Sequence, residues 1–93
     1  MNLIEIKKTL YYHVVMTRLE KFESLQNHPW LKKSWGKLKT VEREIARQFL
    51  NENAQLDRGQ FEFKVNRMFL DQPNKPKNWT IILELLANAN SGY

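Results

Sequence analysis

Proline and glycine are scarce in this chain, three of each in 93 residues. Most of them stand between runs of apolar residues and divide the chain into four stretches. Within those stretches apolar residues recur at three and four, the period of a helix with one buried face. There is no internal repeat and no low-complexity tract. The fold predicted is all-α, a small bundle of about four helices. Residues 1–93 form a single domain, and the first helix is long and central.

The first stretch runs from about Asn2 to Gln26. Leu3, Ile6, Leu10 and Val14 make one row, and Tyr11, Val15, Leu19 and Phe22 a second. Two rows leave the helix apolar on most sides, as suits a central element. Tyr11 to Met16 also has the composition of a strand; length and the flanking period favour helix. Asn27 and His28 before Pro29 mark a break and a new start.

The second stretch runs from Pro29 to about Asn51. Read as one helix, it places Trp30, Leu31, Leu38, Val41, Ile45 and Phe49 on one side. Lys32, Lys39, Arg43 and Arg47 fall on the other, with Gly36 among them. Gly36 either costs about 1 kcal/mol relative to alanine or marks a bend that splits off a short piece before Lys37.

Asp57 and Gln60 have the spacing of a capping box, which predicts a third helix from Arg58 to Leu70. It would bury Phe61, Val65, Met68 and Phe69. Phe61, Phe63 and Val65 also alternate as in a strand, but no other segment alternates to pair with them. The prolines of Asp71 to Lys77 make a loop. A fourth helix follows, from Asn78 or Trp79 to about Asn88. Trp79, Ile81, Ile82, Leu83, Leu85 and Leu86 leave it only Thr80 and Glu84 as a polar edge.

Fifteen Lys and Arg against ten Asp and Glu give a net charge of +5. Such a balance favours an anionic partner. With no cysteine, a disulfide framework and a Cys-ligated metal site are excluded. Glu5, Lys7 and Lys8 interrupt any signal-like apolar run near the N-terminus. No stretch of eighteen apolar residues exists, so no membrane partner is expected, and the expected location is cytoplasmic.

No chemical site stands out. His13 and His28 lack a carboxylate at i, i+4. Glu20 and Glu23 share a face but have no third ligand. The glycines stand alone, so no phosphate-cradling loop forms. Ser24, Ser34 and Ser91 lack a nucleophile's setting. The expectation is a protein that is not an enzyme, with no metal, no cofactor and no small-molecule substrate.

Binding features are better founded. The stripe of Lys32, Lys39, Arg43 and Arg47 is flanked by Lys33 and Lys37. Cations spread over a helix face suit contact with a nucleic-acid backbone and carry no base sequence. Aromatics among cations suit stacking on the bases of a single strand. Trp30 falls on the apolar side and is expected in the core, whereas Trp35 lies near the boundary and is the better contact. On the fourth helix, Trp79, Ile81, Ile82 and Leu85 are the candidate surface for a protein partner or self-association.

Two functions follow. The first is an accessory subunit of a nucleoprotein complex that binds a nucleic-acid backbone and a protein partner. The alternative is a small phage- or plasmid-type regulator or inhibitor that docks on a larger protein without touching nucleic acid.

Overall fold

The computed structural model describes residues 16–71 and 78–91. They form five α-helices and one 3-10 turn, and no strand is present among them. Helix α1 spans Arg18–Ser24 and runs into the 3-10 turn Leu25–Asn27. Helix α2 spans Lys32–Lys37, α3 Thr40–Glu52, α4 Arg58–Leu70 and α5 Trp79–Asn90. The architecture is a small all-α bundle.

Helix α1 starts where Thr17 stops being helical. The Thr17 backbone is extended, and its Oγ1 accepts from the Glu20 N–H at 3.0 Å. Glu20 Oε1 accepts from the Thr17 N–H in return. This reciprocal cap satisfies donors that a helix start leaves open. The expected helix from Asn2 to Gln26 is therefore not continuous through Thr17. Residues 2–15, with His13 and both apolar rows' N-terminal members, lie outside the described residues.

Helix α4 has the predicted bounds and the predicted cap. The Gln60 N–H donates to Asp57 Oδ1 at 2.8 Å, and Asp57 N–H donates to Gln60 Oε1. Phe61 and Val65 are buried, and Met68 and Phe69 pack half-buried on the core. The strand alternative fails because Phe63, its middle member, points to solvent.

The centre of the described bundle is α5, which packs against α1, α2, α3 and α4. Its Trp79, Ile82, Leu85, Leu86 and Ala89 are all buried. They meet Phe22 and Leu25 from the first helical segment, Leu31, Trp35 and Leu38 from the second stretch, Ala46 and Leu50 from α3, and Phe61 and Val65 from α4. Phe22 and Trp35 stack tilted at 4.6 Å between ring centroids, and Phe49 meets Phe61 edge-on at 5.4 Å.

Polar ties fasten the far end of α5. Arg18 Nε donates to Asn90 Oδ1 at 2.8 Å, and its Nη2 donates to the Leu56 carbonyl. The same guanidinium lies over the Phe61 ring. Burial lowers the Arg18 pKa, and the charge of Asp57 offsets part of that effect.

Candidate nucleic-acid interface

Of the two expectations for this stretch, the split is the one observed, with Gly36 inside α2 and the break after Lys37. After Lys37 the backbone turns extended at Leu38 and Lys39, and α3 begins at Thr40. Three groups hold this break. Lys39 N–H donates to Glu42 Oε1 at 2.7 Å, Asn78 Nδ2 donates to the same carboxylate at 3.2 Å, and Asn78 Nδ2 reaches the Lys37 carbonyl at 3.1 Å. Glu42 is buried there, not solvated on a helix surface. The carboxylate sits near the start of α3, where a negative charge also suits the helix dipole.

The break re-sorts the faces. Buried positions run Leu31, Trp35, Leu38, Glu42, Ala46 and Leu50. In α3 this is one residue further along than the expected apolar row. Val41 and Ile45 are exposed and Phe49 is half-buried. Ala46 and Leu50 replace them, because a fully buried small residue at Ala46 leaves room for the helices α1 and α5 that pack on α3.

The two tryptophans exchange roles. Trp35 is 6% exposed and belongs to the core, so it is no contact residue, whereas Trp30 is 83% exposed. Leu31 is turned inward next to it, which anchors the segment and leaves Trp30 and Lys32 on the outer side. The Trp30 N–H donates to His28 Nδ1 at 3.2 Å, and the two rings lie 5.4 Å apart. His28 also closes the turn through its carbonyl, which accepts from the N–H groups of Leu31 and Lys32.

The cations divide into two groups. Lys32, Lys33, Lys37 and Lys39 are exposed, and their side chains make no ion pair or hydrogen bond among the described residues. No Asp or Glu occurs in the sequence between Glu23 and Glu42. Arg43 and Arg47 do not join them as free charges. Arg43 Nη2 donates to the Trp35 carbonyl, and its guanidinium lies 5.5 Å from the Trp35 ring centroid. Arg47 is paired with both Glu23 and Glu44. Its hydrogen bonds to the carboxylates of Glu23 and then Glu44 raise its pKa above the ordinary arginine value.

The candidate protein surface on α5 mostly faces inward. Trp79, Ile82 and Leu85 are buried within the chain itself, and Ile81 packs half-buried on the core. The three buried side chains face α1 to α4, and Ile81 alone of the four keeps part of its surface in solvent. Among the described residues, the large apolar ones left exposed are Trp30, Val41, Ile45, Phe63 and Leu70. Among the described residues no cluster of His, Asp or Glu is placed to hold a metal ion. No helix among them is long and apolar enough to cross a membrane.

The exposed Trp30 was not legible from helical periodicity, which put it beside Leu31 on one face. The local signal was Asn27-His28-Pro29, which ends one helix just before Trp30 and frees it from any helical face. No family model, no curated protein and no solved structure matches this chain.

Proposed function

We propose that the protein binds nucleic acid through the lysine segment around α2, contacting the phosphate backbone. The observation that carries this reading is the set of Lys32, Lys33, Lys37 and Lys39. All four are exposed within eight residues, with no acidic partner among the described residues. Lysine is a flexible point charge on a long stem, suited to phosphates whose exact positions vary. It offers no fork for a base edge, so the reading is sequence-independent binding. The role that fits is a small non-catalytic accessory factor.

Fluorescence anisotropy with labelled random-sequence DNA tests this. With four lysines engaged on a duplex, log K is expected to fall with log salt at a slope of about −3 to −4. Lys33→Glu with Lys37→Glu should weaken binding on every sequence alike and leave the fold intact, since both side chains are exposed. Absence of binding at low salt would overturn the reading. So would a folded double variant that binds as the wild type does. In either case docking on an acidic protein surface takes its place, because the same lysines suit acidic side chains.

A further inference from the structure

We infer that the nucleic acid this segment takes is single-stranded, with one base stacked on Trp30. The inference rests on the proposed function and names its substrate class. Exposed lysines alone do not distinguish a duplex from a single strand, because both offer phosphates. Trp30 does. A tryptophan 83% exposed beside four lysines adds nothing to phosphate contact. In a duplex the base faces are closed within the stack, and a flat indole meets only the sugar-phosphate edge. In a single strand every base has an open π-face, and stacking on an aromatic ring tolerates any sequence. That tolerance matches a lysine set that reads no base.

The backbone that carries the ring is set before any ligand arrives. The Trp30 backbone N–H donates to His28 Nδ1, the His28 ring flanks the indole at 5.4 Å, and buried Leu31 pins the next residue. A side chain fixed at its root loses less freedom when a base covers it. Lys32 and Lys33 follow within three residues, on the exposed side of the same turn. The arrangement is a stacking platform next to a row of phosphate contacts.

Titration of the protein with oligo-dT and with random-sequence duplex, followed by intrinsic fluorescence and anisotropy, tests the inference. The other two tryptophans, Trp35 and Trp79, are buried, so quenching on binding reports Trp30. Oligo-dT should quench emission in the wild type and not in Trp30→Phe, which keeps most of the affinity because phenylalanine also stacks. Trp30→Ala should lose about 5- to 150-fold in affinity for oligo-dT, the loss that one base–aromatic stack carries. Its duplex affinity and thermal melt should match the wild type. If Trp30→Ala binds oligo-dT as the wild type does, while Lys33→Glu with Lys37→Glu still weakens it, stacking is overturned and backbone binding stands. If the wild type binds neither form at low salt, both readings fall. A blue shift of Trp30 emission with anionic phosphatidylserine vesicles, without any response to oligo-dT, would assign the segment to a lipid surface and overturn both.

Discussion

The C-terminal helix Trp79–Asn90 and the segment from Trp30 to Val41 are each twelve residues long, and each begins with a tryptophan. Trp79 is 4% exposed and Trp30 is 83% exposed. Both segments insert apolar anchors at helical spacing: Ile82, Leu85, Leu86 and Ala89 in one, Leu31, Trp35 and Leu38 in the other. What differs is the material between the anchors. Helix α5 has one charged residue, Glu84, and its half-buried Ile81 and Leu83 add to the core contact. The Trp30–Val41 segment has three lysines there and a fourth just past Leu38, and leaves the helix after Lys37. Anchor spacing therefore fixes that a segment is held, and the residues between anchors decide whether its outer side packs or stays in solvent.

The largest effect separating the two regions is expected at Leu85. Its side chain is fully buried at the centre of the bundle. Leu85→Ala should cost about 2–5 kcal/mol, from lost transfer energy and the cavity left behind. Total stabilities of small domains are about 5–15 kcal/mol, so the variant should unfold at much lower denaturant. Lys33→Ala, in the other region, should change stability by no more than about 0.5 kcal/mol. Urea unfolding of the two variants checks the contrast. A Leu85→Ala protein as stable as the wild type but altered in association would return α5 to the role of an interface.

A smaller effect is expected at the joint between the regions. Asn78 Nδ2 donates to both the Lys37 carbonyl and the Glu42 carboxylate, and so ties the start of α5 to the break between α2 and α3. Asn78→Ala leaves Glu42, buried, with the Lys39 N–H as its one remaining donor among the described residues. Under-satisfying a buried acceptor costs about 1–3 kcal/mol. The thermal midpoint should fall accordingly, by about 4–8 °C per kcal/mol for a domain of this size. An unchanged midpoint would show that the break holds without this tie and that the lysine segment is set by its own anchors.

Helical content was legible because apolar spacing is a local property. The α4 helix and its Asp57–Gln60 cap were read with their bounds, since both capping partners lie within four residues. The candidate site was less legible, for a physical reason. On the second stretch hydrophobicity alone ranks Val41 and Ile45 above Ala46 and Glu42. In the fold the order is reversed. Ala46 is inside because neighbouring helices pack on it, and Glu42 is inside because the Lys39 N–H and Asn78 satisfy it. Asn78 is 36 residues away in sequence, so no local pattern announces it. Shifting the buried row by one residue moved Arg43 and Arg47 off the solvent stripe and against Trp35 and Glu23. The four lysines kept their exposure in both readings.

The smallest effect is expected at Arg47, and it discriminates between the straight cationic stripe and the lysine segment. Glu23 of α1 and Glu44 of α3 hold its guanidinium, and the side chain is about 30% exposed. A partly solvated pair of this kind contributes little, about 0–1 kcal/mol, because water and salt screen it. Arg47→Ala should therefore lower stability by no more than that, with some of the loss coming from packing of the aliphatic stem. The difference from the wild type should shrink as salt is added. On DNA, a free Arg47 bound to a phosphate would add about 0.9 to the magnitude of the salt slope on a duplex. Held by two carboxylates, it should add nothing, so Arg47→Ala should bind with the wild-type slope. Lys37→Ala should reduce the slope by about 0.9 in the same experiment. If both variants reduce it equally, Arg47 leaves Glu23 and Glu44 for phosphate on binding, and the contact surface extends along α3. If neither does, the lysine segment is not where the backbone is held.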